Sequence, residues 1–141
     1  MFLSALCLFS ACDKDSKDYH AEMHQLPTEL DLTGICFVNS DTGFVTAGSL
    51  FTGGLFLRTN DGGGSWDTVM VNNQGTNSVS YQNNILTVSE CGNKLHYSSD
   101  LINWSYHNTS QWWRWHNHVR LPNNNVFLVG GGNFSLGIIH K

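Results

Sequence analysis

Charge is scarce in this chain. Only 13% of its 141 residues are Asp, Glu, Lys or Arg, and the seven basic ones are scattered, so there is no basic stripe to track a phosphate backbone. With a net charge of −4, nucleic acid is not expected as a partner. No stretch has the apolar period of a convincing amphipathic helix, and one turn between Tyr19 and Leu32 is the most the pattern allows. The apolar run from Met1 to Ala11 is too short to span a bilayer, and it lacks the basic region that precedes an ordinary secretory signal. The four cysteines contain no Cys-x-x-Cys pair, so a structural zinc site is not indicated. Paired carboxylates do not recur at comparable positions, and there are only three arginines, Arg58, Arg114 and Arg120. No metal or cofactor is expected.

What the chain has in quantity is Gly (14 residues), Asn, Ser and Thr. These form polar, uncharged turns between short β-branched or aromatic runs, which is the pattern of an all-β protein. The length suits one domain with a real core.

One turn is more specific than the rest. Thr59-Asn60-Asp61-Gly62-Gly63-Gly64-Ser65-Trp66 lies between the apolar runs Gly54–Arg58 and Thr68–Val71. It resembles the Asp-box of BNR-repeat β-propellers, Ser/Thr-x-Asp-x-Gly-x-Ser/Thr-Trp, and Thr59, Asp61, Gly63, Ser65 and Trp66 meet every fixed position. In such a box the carboxylate accepts hydrogen bonds from the turn, as in an Asx-turn, so Asp61 reads as structural and not catalytic. The glycines permit positive φ. Ser98, Asp100 and Trp104 form a degenerate second box without the glycines, expected to repeat the role less rigidly.

The boxes sit in a repeat. Phe44, Ile85 and Val126 are 41 residues apart, each following a turn of Asn, Asp or Gly and opening an apolar strand that ends in a small residue. Further strand-like runs flank each one: Gly34–Val38, Asn77–Tyr81 and His118–Leu121 before, then Leu55–Arg58, Lys94–Tyr97 and Gly137–Lys141 after. Four short strands per unit of about 40 residues is the signature of a propeller blade. The expected fold is therefore all-β, with propeller blades of four antiparallel strands over residues 32–141. About two and a half blades are present, against the ~4–8 that close a ring, so the chain reads as an N-terminal fragment of a larger propeller. The remaining blades would come from further sequence or from other chains. The run from Phe37 to Gly48, followed by an Asp-box, is similar to the photosystem II stability/assembly factor-like propellers, a broad group within the sialidase superfamily.

The N-terminal residues 1–12 have a different character. Leu8-Phe9-Ser10-Ala11-Cys12 resembles a bacterial lipobox, which implies cleavage before Cys12 and a lipid on that cysteine. The charged residues Asp13 to Asp18 open a polar tether, 13–31, that cannot pack. They are similar to the surface-export signal of Bacteroidetes-type lipoproteins. The resemblance implies a membrane-anchored protein of the bacterial cell envelope, at the outer membrane or cell surface. A buried N-terminal strand with a core cysteine is the alternative, and secretion without an anchor is another. Cys36 and Cys91 fall in different repeat units, so they either form a disulfide or remain two buried thiols.

The segment with the most recognition chemistry is Gln111-Trp112-Trp113-Arg114-Trp115-His116-Asn117-His118. It opens the first strand of the third unit, the strand that lines the channel in a propeller. Aromatic faces with a few directional polar groups suit a glycan or protein ligand. Strand alternation puts Trp113, Trp115 and Asn117 on one face, with Trp112, Arg114, His116 and His118 on the other. The Trp rings could equally pack between blades. Of the two functions the resemblance implies, a non-catalytic, surface-anchored binding or scaffold module needs only such a face. A fragment of a sialidase-type glycoside hydrolase would need an arginine cluster, a Tyr nucleophile with a neighbouring Glu, and an Asp acid/base. That set is not complete here.

Overall fold

The computed structural model describes residues 22–49, 51–131 and 137–140, with backbone only at 110–113 and 137–140. Strands β1 (Leu32–Phe37), β2 (Gly43–Ser49), β3 (Gly53–Thr59) and β4 (Asp67–Asn72) form an antiparallel meander in that order. This is the first blade. A second sheet, β5-β6-β7-β8-β9, contains β5 (Thr76–Gln82), β6 (Ile85–Ser98), β7 (Ser105–Arg120), β8 (Val126–Gly131) and β9 (Gly137–His140). Among the described residues there is no helix, so the single turn expected before Leu32 is not formed over residues 22–31.

Strands β6 and β7 run for 14 and 16 residues, where the sequence pattern predicts two short strands in each. The two descriptions meet in the side-chain contacts. Glu90 Oε2 lies 3.0 Å from His96 Nε2, whereas six residues of straight strand would separate them by about 20 Å. The chain therefore doubles back within β6, near Gly92, whose φ of 140° is open to glycine. Its first arm pairs with β5 and its second with the start of β7. β7 bends in the same way, since the Trp115 indole N–H donates to Thr109 Oγ1 at 3.3 Å across six residues. Blade 2 is thus β5, both arms of β6 and the first arm of β7. The second arm of β7, with β8 and β9, supplies three strands of a third blade.

Apolar residues seal the blades against one another. Phe44 and Phe56 of blade 1 stack at 5.4 Å and pack with Leu86 and Val88 of blade 2. Leu95, Trp115 and Leu128 repeat the arrangement between blades 2 and 3. Nearer the inner strands the contacts become polar: Thr33 Oγ1 donates to Thr76 O at 2.5 Å, and Thr76 Oγ1 accepts from Ala47 N at 3.1 Å. At Gly130 a Cβ would fall 2.3 Å from Arg114 O, so the close approach of β7 and β8 requires glycine there.

Candidate functional site

The two Asp-boxes are built as hairpin staples. Asp61 Oδ1 accepts from Thr59 Oγ1 (2.7 Å) and Ser65 N (2.9 Å), and Oδ2 from Ser65 Oγ (2.6 Å). Thr59 Oγ1 accepts from Gly63 N at 2.9 Å, and Gly63 has a φ of 101°. Led by the Ser65 hydroxyl and amide, these donors hold the Asp61 carboxyl down at about 2. The degenerate box is no looser. Asp100 accepts from Ser98 Oγ, Ile102 N, Asn103 N and Asn103 Nδ2 at 2.8–3.0 Å, and these bonds, Asn103 foremost, keep its carboxyl well below the usual range. Without glycines, the turn places Leu101 at a φ of 63°.

The two box tryptophans differ in their surroundings. Trp104 stands edge-on to Phe56 of the preceding blade at 5.1 Å, and Arg58 Nη1 of that blade donates to Leu101 O at 3.4 Å. Trp66 donates its indole N–H to Gly63 O at 3.1 Å and meets Phe37 edge-on at 6.4 Å. It lies on the other face of blade 1, where a cleft of about 420 Å³ is also lined by Ile35, Val45 and Leu26.

The candidate strand is the second arm of β7. Trp115 pairs with Gly130 and Asn117 with Val129, so His116 is an extra residue, a β-bulge. The bulge breaks the alternation expected from the sequence. Trp115, only 1% exposed, joins the core, and its carbonyl accepts from Asn77 Nδ2. His118 is buried as well. Arg114, His116 and Asn117 are all exposed. Trp115 thus does not share an open face with Asn117, and His118 does not share one with Arg114 and His116. Trp112 and Trp113 belong to β7, with Trp113 paired to Gly92, but their side chains lie outside the described residues.

His118 anchors this strand to blade 2. Its Nδ1 lies 2.6 Å from Ser78 Oγ and its Nε2 2.8 Å from Ser80 Oγ, while Ser78 Oγ meets Ser89 Oγ at 2.8 Å. Burial, with the neighbouring Arg120 charge, pushes the imidazole down to about 4. It is therefore neutral at pH 7, with one nitrogen donating and the other accepting. Ser78 and Ser80, two apart on β5, share one face, and that Ser-x-Ser is the only sign of this seam in the sequence. Arg120 gives Nε and Nη2 to Thr87 Oγ1 at 3.2 Å. Outside this seam, Glu90 and His96 form a buried pair, and Cys36 and Cys91 are free thiols, the first half-buried and the second buried, so no disulfide joins the two domain cysteines. Among the described residues no three His, Cys, Asp or Glu side chains group as a metal site.

Between blades 2 and 3 a second cleft, of about 450 Å³, is lined by Ile85, Leu95, Tyr97, Arg120, Val126 and Leu128 among others.

Meandering sheets stacked face to face, joined by Asp-box hairpin staples, are those of part of a β-propeller. Two solved structures share the fold. YCF48 bound to D1 peptide superposes with a TM-score of 0.65 at 20% identity, over 88% of this chain and 42% of that one. YCF48 from Cyanidioschyzon merolae gives 0.57 at 23% identity, over 82% and 35%. The chain thus spans about two fifths or less of the length of either. No protein-family model matches the sequence, and no curated protein does.

Proposed function

We propose that this chain is part of a non-catalytic β-propeller that binds a protein segment through the bulged arm of β7. The observation that carries the reading is the way the arm is held. Trp115 and His118 fix it from beneath, and the bulge turns Arg114, His116 and Asn117 outward together. A rigid backbone bearing a guanidinium, an imidazole and an amide is complementary to peptide carbonyls and carboxylates, and little backbone ordering opposes binding. The likeness to a propeller solved with a peptide bound supports the same reading. A glycan site would instead draw on the flat Trp faces, and Trp115 has its face in the core. The glycosidase alternative has less support, because the three arginines point to different places. Arg58 lies on the Asp-box side with Asn60 and Leu101, Arg120 is buried on Thr87, and Arg114 is exposed.

Screening the purified protein on a peptide array and a glycan array tests this. Peptide hits are expected, and Arg114→Ala with His116→Ala together should weaken them roughly tenfold or more, the scale of hot-spot truncations. Hits on glycans alone, or peptide hits indifferent to both changes, would overturn the proposal.

The anchor is a further part of the proposal, supported by the lipobox-like Leu8–Cys12 and the charged residues Asp13 to Asp18 behind it, which lie outside the described residues. Expressed in a bacterial host, the wild-type chain should partition into the detergent phase with the membranes. Cys12→Ser should move it to the aqueous phase. A wild type that stays aqueous would sink the anchor.

A further inference from the structure

The turn between β2 and β3 carries a side chain that its backbone disfavours. It is closed tightly: Thr52 N donates to Ser49 O at 3.3 Å, and Thr52 Oγ1 accepts from Ser49 N at 3.0 Å. Within it Phe51 has a φ of 73° and is 70% exposed. A left-handed turn position is the usual place of Gly or Asn, and a bulky residue there is strained. The 41-residue period sets Gly92 at the corresponding place of blade 2, with a φ of 140°. Phe51 thus bears a strain that glycine avoids one repeat on, and its ring gains little burial in return. Strain of this kind collects where a side chain is held ready for a ligand.

The turn shares its end of the molecule with the bulged arm of β7. At the opposite end the β1–β2 turn meets the first Asp-box, where Gly62 N donates to Asp41 O at 2.8 Å. From the Phe51 turn the path to Arg114 is short. A Cβ on Gly75 would fall 2.6 Å from Ser49 N, Gly75 O accepts from Cys91 N at 2.7 Å, and Cys91 pairs with Arg114. With neighbouring strands about 5 Å apart, these steps keep Phe51 within roughly 20 Å of Arg114, the span of about six residues of extended peptide.

We propose that Phe51 is the aromatic anchor of the protein-binding face, receiving a leucine or aromatic side chain of the same segment that meets Arg114, His116 and Asn117. This role rests on the binding reading of the β7 arm and adds the apolar half of its specificity. A flat ring on a hydrogen-bonded turn offers apolar area with little ordering left to oppose binding. The segment recognised is therefore an extended one that pairs an acidic residue with an apolar residue about six positions away.

A random twelve-residue peptide library displayed on phage, selected against the full 141-residue chain, provides the probe. Selected sequences should show that acidic–apolar spacing. In fluorescence anisotropy, Phe51→Gly should weaken their binding about tenfold or more, the scale of hot-spot truncations. The same change should leave the urea midpoint of the chain unchanged or raised, since glycine accepts the turn without strain; a lowered midpoint would mark Phe51 as structural and overturn the proposal. Peptides that depend on Arg114 yet bind the Phe51→Gly chain as tightly as the wild type would overturn this inference and leave the β7 site standing, whereas a library with no binder would remove both. Sedimentation with phosphatidylcholine vesicles that is lost in Phe51→Gly, with peptide affinity unchanged, would assign the ring to a bilayer and overturn it too.

Discussion

Replacing Phe56 with alanine is expected to destabilise the chain by about 3–5 kcal/mol, the usual range for deleting a buried aromatic ring. Phe56 is 1% exposed and meets three elements at once: it stacks on Phe44 within blade 1, receives the edge of Trp104, and shares a cluster with Leu86 and Val88 of blade 2. Such a cluster collapses poorly around the void, because strand pairing fixes the backbone of each of the two sheets on which its members sit. Single domains are stable by only about 5–15 kcal/mol, so the loss is a large share of what holds the chain folded. Urea unfolding followed by far-UV circular dichroism would measure the change. A loss below about 1 kcal/mol would show that the blade 1–blade 2 contact is not the core it resembles.

The second large effect concerns acid. His118 is held neutral, with its imidazole down at about 4 against an ordinary 6.5. A group whose folded value is depressed in this way leaves stability intact above the unfolded value. As pH falls from 6.5 towards 4, the unfolded chain takes up a proton that the folded chain refuses, and stability drops. Over that window the loss comes to about 3 kcal/mol at 1.36 kcal/mol per unit. Arg120, on the same strand, adds to the cost of charging the ring. Asp61 acts in a lower window: its depressed carboxyl contributes stability above 3.8 that is lost only as pH falls towards 2. Chemical denaturation at half-unit steps from pH 7.5 to 4 would follow the decline, and His118→Gln should flatten it. An equal slope in the variant would place the acid sensitivity elsewhere.

Much of the architecture was legible because blade geometry is written in local residues. The Thr59–Trp66 turn needs only its own hydroxyls, glycines and carboxylate to close, and the 41-residue spacing of Phe44, Ile85 and Val126 reports the blade period directly. The candidate strand was legible as a strand but not in its facing. Whether Asn117 points with Trp115 or against it depends on the bulge at His116, which exists only through pairing with Val129 and Gly130. The burial of His118 depends on Ser78 and Ser80, about 40 residues away. A two-residue period carries no information about partners at that distance, so side chains read as one exposed set divide between core and surface.

The placement of Trp104 bears on the order in which the molecule is made. Its ring belongs to the hairpin of one blade yet covers the aromatic face of the blade before it. During synthesis from the N-terminus, the cover on Phe44 and Phe56 begins with Leu86 and Val88 and is complete only once the chain has been extended beyond Trp104, some 50 residues after Phe56 was added. Each newly made blade thus waits for its successor. Folding should advance along the ribosome-bound chain with a lag of about one repeat, and nascent chains arrested before Trp104 has emerged should be far more open to protease than those arrested after β7 has emerged.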